Sequence, residues 1–170
     1  MIGSADVLPI VSLAEVQGFV RVETGDEEAL LAGMVRTASA YCERFLNQVV
    51  IARPFAEVIR GDGLWQRLEV RPIKAITSVH AGDQLLASEQ FSMDVDPAGA
   101  GWVRVPASLL CTVAGLAGLA GDENDVPEPI RQGVIRLTAH LYSHRDGTAG
   151  GEPPAIVTAL WRPYRRLVLA

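Results

Sequence analysis

Two segments of the chain place apolar side chains at helical spacing. One runs from Asp26 to about Asn47, and the other follows Pro127 and Pro129 and continues to about Arg145. Apolar residues that recur every three or four positions form one stripe along a helix, which packs against a core. In the first segment the stripe consists of Leu30, Leu31, Met34, Val35, Ala38, Tyr41, Cys42, Phe45 and Leu46. The spacing therefore predicts two long helices, one early and one late in the chain.

The capping-box pattern S/T-x-x-E marks two helix starts. It occurs at Ser12 with Glu15, and again at Thr24 with Glu27. In such a box the two side chains bond backbone amides that the first helical turn leaves without partners. The first box predicts a short helix over residues 13–21, and the second precedes the long early helix. A last short helix is predicted over residues 155–160, after two consecutive prolines.

The middle of the chain has a different pattern. From Val49 onwards β-branched residues become frequent, and Pro54 discourages a continuing helix. Short apolar or alternating runs separated by Gly, Asp and Pro are typical of antiparallel strands joined by turns. The predicted strands are Phe55–Arg60, Trp65–Val70, Ile76–Ala81, Gln84–Ala87, Phe91–Val95, Trp102–Val105 and Leu109–Ala114. Gly115, Gly118 and Gly121 are predicted to open a loop that continues to Asp125.

These elements predict the α+β class: a small core of three to four helices with an antiparallel β insertion between the long second helix and the late helix. We expect one domain over residues 1–170. Its helical core comprises residues 13–47 and 127–160, its β insertion residues 49–114, and its C-terminal tail residues 161–170. A chain of 170 residues can bury about 70% of its unfolded surface, so metals and disulfides are not needed for stability.

Charge is distributed unevenly along this acidic chain. The net charge is −5, made up of −4 in residues 1–50, −4 in residues 51–126 and +3 in residues 127–170. An acidic body repels phosphates, which argues against a protein that grips DNA by counterion release. The longest apolar run, Leu109–Ala120, is shorter than the roughly 20 residues of a membrane span. No basic segment precedes Arg21, so no secretory signal is expected, and Cys42 and Cys111 are predicted to be free buried thiols.

Candidate chemistry is sparse. His140 and His144 lie four residues apart on the predicted late helix, but two imidazoles without a third ligand favour a polar helix edge over a metal site. Asp94 and Asp96 alternate on a strand and are interpreted as a solvent-facing edge. The glycines before Asp122 lack the G-K-[ST] or G-x-G-x-x-G context of a phosphate loop. We therefore predict no catalytic, cofactor-binding or metal-binding residues, and no enzyme.

The C-terminal segment combines aromatic, apolar and basic residues. Trp, Tyr and Arg are enriched at interface hot spots, so the segment is a candidate docking site. The alternative is that it packs on the protein's own core, since apolar chain ends are usually held in place. The residues concerned are Trp161, Arg162, Tyr164, Arg165, Arg166, Leu167, Val168 and Leu169.

The order of these pieces resembles the head-tail connector (adaptor) family of tailed phages, which includes prophage and gene transfer agent members. The resemblance covers about Leu13 to Tyr164. It is carried by Leu13–Val16, Val20–Val22, Asp26–Glu28, Ala38–Glu43, Arg71–Val79, Val126–Gly133 and Leu137–Arg145.

The resemblance implies a structural virion protein. It would form a homo-oligomeric ring, twelvefold in this family, that joins the portal protein of a phage-like head to a tail-side connector or stopper protein. DNA would be passing cargo, and no membrane or cofactor would take part. The particle would be assembled in the bacterial cytoplasm, with the C-terminal segment docking into the portal. The alternatives are another tail-joining or tail-completion protein, a non-viral acidic binding module, a nucleic-acid-binding module and a small enzyme.

Overall fold

The computed structural model describes residues 7–22, 25, 27–144 and 153–166. This part of the chain contains four α-helices and seven β-strands, and the strands lie between the second and third helices. The predicted α+β class is therefore confirmed. The chain divides into two compact units. Among the described residues, the helical unit comprises 7–51 and those from 120 to 166, and the β unit comprises Ala52–Leu119.

The helices of the helical unit begin and end close to the predicted positions. They are α1 (Leu13–Val20), α2 (Glu28–Leu46), α3 (Glu128–Ser143) and α4 (Ala155–Trp161), with short 3-10 turns at Glu123–Asp125 and Arg162–Tyr164. The first capping box is confirmed, because the Ser12 hydroxyl accepts a hydrogen bond from the amide of Glu15 at 3.3 Å and the Glu15 carboxylate bonds the Ser12 amide. Thr24, and with it the second box, lies outside the described residues. Asn47 ends α2 in the left-handed conformation.

The core of the helical unit forms where α3 packs against the other three helices. Most of the predicted apolar stripe of α2 faces this core, but two of its members, Leu30 and Tyr41, remain 45% and 43% exposed. Ser39 is also fully buried, and its hydroxyl accepts a hydrogen bond from the amide of Ile10 at 3.1 Å. Cys42 is buried in the same core as a free thiol. The largest fully buried side chains here are Trp161, Ile10, Leu31, Leu46 and Ile130.

Arg131 ties three parts of the helical unit together. Its guanidinium forms an ion pair with Glu15, the residue that completes the capping box of α1. It also donates to the carbonyl of Glu123 at 2.8 Å and lies 3.7 Å from the carboxylate of Glu128. Burial raises the pKa of Glu15, but hydrogen bonds from Ser12 and the Arg131 charge outweigh burial and leave that pKa below its ordinary value. The start of α1 is therefore fixed to α3 by charge-assisted contacts.

The β unit consists of two antiparallel sheets. One has the strand order β1-β7-β3-β4 and the other β2-β6-β5. The strands are β1 (Arg53–Arg60), β2 (Gln66–Arg67), β3 (Ile73–Ala81), β4 (Gln84–Leu85), β5 (Ser92–Val95), β6 (Gly101–Arg104) and β7 (Leu110–Ala117). The antiparallel pairing is as predicted. Cys111 is buried in β7 and is also a free thiol.

Two predicted strands are shorter in the structure. The run Trp65–Val70 forms a strand only at Gln66–Arg67. Beyond it, the buried carboxylate of Glu57 accepts hydrogen bonds from the amides of Glu69 at 2.9 Å and Val70 at 3.2 Å. Those amides are thereby satisfied without a neighbouring strand. The run Gln84–Ala87 forms a strand only at Gln84–Leu85 and continues as a 3-10 turn.

The prediction that Gly115 opens a loop is wrong. Gly115 lies inside β7, directly opposite Phe55 of β1 and Ile76 of β3. A Cβ atom at this position would lie 2.1 Å from the carbonyl oxygen of Ala75 and 2.8 Å from the ring of Phe55. The glycine therefore permits close approach of a neighbouring strand and an aromatic ring, a known reason for glycine within a strand.

Candidate interaction surfaces

The C-terminal segment is anchored by Trp161, which is fully buried at the end of α4. Its indole nitrogen donates to the carbonyl of Ile130 at 3.1 Å. The ring lies directly over Gly133, where a Cβ would fall 2.1 Å from the indole nitrogen, and it packs against Phe45 with ring centroids 5.7 Å apart. The sequence left two alternatives for this segment, a docking site or packing on the protein's own core. For Trp161 the structure shows packing on the core.

The residues after Trp161 run along the C-terminal end of α2. The amide of Arg166 donates to the carbonyl of Leu46 at 2.9 Å, and the side chain of Gln48 donates to the carbonyl of Tyr164 at 2.6 Å. The guanidinium of Arg165 lies over the ring of Phe45 at 5.4 Å. Cations near a helix C-terminus are stabilised by the helix dipole. The segment is therefore held to its own helical unit by backbone contacts as well as by the tryptophan anchor.

This anchoring leaves three basic side chains accessible. Arg162, Arg165 and Arg166 are exposed, and Tyr164 is half-buried. The segment 153–166 contains these three arginines and no acidic residue. The structure thus brings the predicted basic residues together on one short, fixed stretch of chain. Leu167, Val168 and Leu169 lie outside the described residues.

The structure also shows the surroundings of the other candidate residues, which are two histidines of α3 and its end and two aspartates in turns. The rings of His140 and His144 are 4.2 Å apart, and a nitrogen of the His144 ring lies 2.9 Å from the His140 carbonyl oxygen. Within the described ranges no group of three His, Cys, Asp or Glu residues could hold a metal ion. Asp96 accepts a hydrogen bond from the amide of Ala100 and shapes a turn, and Asp122 accepts one from the amide of Asn124.

A surface that the sequence analysis missed lies on the three-stranded sheet. The tripeptide pattern W-x-R occurs twice in this sheet. Residues 102–104 form it within β6, and residues 65–67 form it from β2 and the residue before β2. Alternate residues of a strand share a face, so each pattern places its tryptophan and arginine on the same face. Because β2 and β6 are antiparallel, each arginine meets the other strand's tryptophan. The Arg67 guanidinium lies 5.8 Å from the Trp102 ring centroid, and that of Arg104 lies 5.5 Å from the Trp65 ring centroid. We name Trp65, Arg67, Trp102 and Arg104 the Trp-Arg face.

The Trp-Arg face is accessible. Trp65 has 45% of its surface exposed, and both arginines are exposed. Val103, which lies between Trp102 and Arg104, points the other way and is fully buried. The repeated W-x-R spacing was the available signal in the sequence, since alternate positions of a strand share a face.

The fold is similar to that of chains in gene transfer agent particles. One comes from the neck of an empty gene transfer agent particle computed with C6 symmetry, with a TM-score of 0.78 and 22% sequence identity. Another comes from the virion of a native gene transfer agent particle, with a TM-score of 0.78 and 23% identity. A third comes from the neck of a native particle computed with C12 symmetry, with a TM-score of 0.77 and 22% identity. Each match covers 100% of this chain and 97% of the other chain.

Comparison by sequence adds no assignment. No protein-family model matches the chain, and no curated protein matches it. At 22% to 23% identity, the likeness to the particle chains is a likeness of fold. Among the described residues, no helix is long and apolar enough to cross a membrane. The α+β fold shared over the full chain is thus the finding on which a function can be argued.

Proposed function

We propose that this chain is a structural protein of the neck of a phage-like particle, such as a gene transfer agent or a prophage-derived particle. The observation that carries the proposal is the full-length fold match, with a TM-score of 0.78, to a chain from the neck of a gene transfer agent particle. A local motif can recur on unrelated folds, but this match includes both the helical unit and the β unit. The proposed role is head-to-tail joining and requires no catalysis.

In the finer form of this proposal, the chain is an adaptor. Copies of it form a closed ring, twelvefold by resemblance to the adaptor family, between the portal protein and a tail-side connector or stopper protein. Rings are built from one repeated contact between two different surfaces of the same chain. The imposed C6 and C12 symmetries of the similar neck structures support a ring. The net charge of −5 supports a ring that lets DNA pass without retaining it, because like charges repel.

We further propose that the exposed basic stretch docks into the portal. Arg162, Arg165 and Arg166 supply fork-shaped donors that suit carboxylates, and the buried Trp161 fixes the point from which the stretch leaves the core. Tyr164 is half-buried beside them. Leu167, Val168 and Leu169 continue the same contact in this proposal.

Electron microscopy of the purified chain mixed with the portal protein of the same genome tests the main proposal, with the chain alone as control. A ring stacked on one end of the portal is the expected result. The chain alone can remain monomeric, since a template raises the stability of an assembly by mass action. Failure to associate with the portal at any salt concentration would refute the adaptor role and favour another tail-joining or tail-completion role.

A charge-matched pair of variants tests the docking segment. The triple substitution of Arg162, Arg165 and Arg166 to Ala is expected to weaken portal binding, measured by pull-down and by microscopy of the complex. The control replaces three exposed arginines elsewhere on the helical unit, Arg36→Ala, Arg44→Ala and Arg136→Ala, and changes the net charge equally. Equal binding by both variants would show that the segment does not dock.

A further inference from the structure

The Trp-Arg face has the build of a carboxylate receptor. Arg67 and Arg104 each lie over a tryptophan ring, and such a cation–π contact restricts the movement of the guanidinium plane. The donors at the edge of that plane stay available to a fork-shaped acceptor. Side-chain freedom that stacking has already removed is not lost again on binding. The two guanidiniums are therefore preorganised for a planar acidic group.

These two arginines have no carboxylate partner in the described part of the chain. The Arg104 guanidinium donates to the hydroxyl of Ser92 at 3.3 Å, and no ion pair within 4 Å joins either arginine to an acidic residue there. Asp94 of β5 lies opposite Trp102 of β6 but forms no ion pair within 4 Å with Arg67 or Arg104. Grooves flank the face. The groove beside Arg104 is lined by Phe91, Pro106 and the acidic residue Glu89, and the groove beside Arg67 by Arg60 and the acidic residues Glu57 and Glu69.

A complementary acidic edge occurs on the helical unit, where α3 begins. Asp122, Asp125 and Glu128 are all exposed. Arg131 forms an ion pair with Glu128 of this edge at 3.7 Å, and it also pairs with Glu15 and donates to the carbonyl of Glu123. Asp122 and Asp125 form no ion pair with another described residue, so this edge retains negative charge. We name Asp122, Asp125 and Glu128 the acidic edge.

We propose that the Trp-Arg face of one copy binds the acidic edge of the next copy, and that this contact is the repeated one that closes the ring. The inference rests on the proposed ring function and adds which surfaces meet. One surface belongs to the β unit and the other to the helical unit, so the contact is heterologous, as a ring requires. Tryptophan and arginine at its centre match the composition of interface hot spots, and the opposite charges fix its register.

Charge reversal tests this contact. The face variant carries Arg67→Glu and Arg104→Glu, and the edge variant carries Asp125→Lys and Glu128→Lys. Asp122 is left unchanged because it caps the 3-10 turn. The control variant, Arg36→Glu with Arg44→Glu, alters two exposed arginines of α2 by the same charge as the face variant. Circular dichroism and thermal unfolding establish that each variant is folded.

Each variant alone is expected to need at least about tenfold more protein than wild type to form rings on the portal, because like charges then face each other. The control variant should assemble as wild type does. An equimolar mixture of the face and edge variants should regain assembly, because reversed face meets reversed edge at every second contact and native surfaces meet at the others. Recovery by mixing also excludes misfolding as the cause of loss.

Three results would overturn the inference in distinguishable ways. If wild type forms rings and the face and edge variants form them equally well, or if mixing the two variants does not restore assembly, the proposed contact is wrong and the proposed function is unaffected. Absence of wild-type rings would remove the proposed adaptor role and the inference together. Salt-sensitive DNA binding that the face variant loses and the edge variant retains would show that the Trp-Arg face binds phosphates instead of a second copy.

Discussion

Replacing Gly133 with alanine should destabilise the helical unit, although the same change usually stabilises a helix. In an ordinary helix interior, alanine is favoured over glycine by about 1 kcal/mol. At Gly133 the added methyl group would lie 2.1 Å from the indole nitrogen of Trp161 and 2.6 Å from a ring carbon. The tryptophan must therefore move out of a position in which it is fully buried.

The expected loss follows from two effects. Overpacking a well-filled core costs about 1 to 3 kcal/mol. Displacing the indole also breaks its hydrogen bond to the Ile130 carbonyl, and leaving a buried polar group unsatisfied costs about 1 to 3 kcal/mol. Subtracting the gain in helix propensity of about 1 kcal/mol leaves a net loss of about 1 to 5 kcal/mol. Each kcal/mol lowers the midpoint temperature of a chain this long by about 2 to 4 °C.

Gly33→Ala is the matched control, because Gly33 lies inside α2 and its added methyl group would meet only the Arg36 side chain, at 3.8 Å. The assay is thermal and urea unfolding followed by circular dichroism at 222 nm, which reports mainly on the helical unit. Gly33→Ala should raise the midpoint and Gly133→Ala should lower it. Trp161→Phe combined with Gly133→Ala should lose less than the sum of the single losses, since the two sites touch. Equal stabilisation by both alanine variants would refute the packing argument.

The remaining predictions concern three buried or paired groups. Glu57→Gln should lower the free energy of unfolding by about 1 to 3 kcal/mol in urea titrations, because its carboxylate accepts hydrogen bonds from two backbone amides and the amide side chain offers only one acceptor. Since the folded pKa of Glu15 lies below its ordinary value of 4.5, its contribution is present above that value and is lost as the pH falls through the folded pKa. Arg131→Met should therefore flatten the acid limb of a plot of stability against pH, and an unchanged limb would contradict the pairing. Burial raises the thiol pKa of both Cys42 and Cys111, so a thiol reagent at pH 8 should label them far more slowly in native protein than in denaturant.

Helix positions were predictable because they depend on local signals. The apolar stripe of α2 and the capping box at Ser12 each act within a few residues, and the box and most of the stripe are found where the sequence places them. Gly115 shows the limit of predictions made from local signals. A glycine between apolar residues indicates a turn when only its neighbours in sequence are known. In the structure the determining atoms are the Ala75 carbonyl and the Phe55 ring, which strand pairing brings close.

The candidate surfaces also show the difference between what local sequence signals predict and what depends on tertiary contacts. The basic composition of the C-terminal stretch was visible in the sequence, but the burial of Trp161 was not, because it depends on a gap that Gly133 leaves on another helix. The W-x-R patterns of the Trp-Arg face were visible as well. Their meaning needed the antiparallel register, in which Arg67 lies opposite Trp102. Composition therefore located the residue types, and tertiary pairing determined which of them remain exposed.

The two proposed contacts of this chain can be separated by experiment because they use different residues held by different cores. The docking stretch depends on Trp161 in the core of the helical unit, whereas the Trp-Arg face is presented by β2 and β6 in the β unit. Substitutions at exposed arginines of either surface remove no buried contact of the other. A neck protein must bind its neighbours around the ring and its partners along the particle axis. If the proposals hold, the face variant loses ring closure but retains one-to-one portal binding, and the C-terminal triple variant loses portal binding while its Trp-Arg face still binds the acidic edge of a second copy.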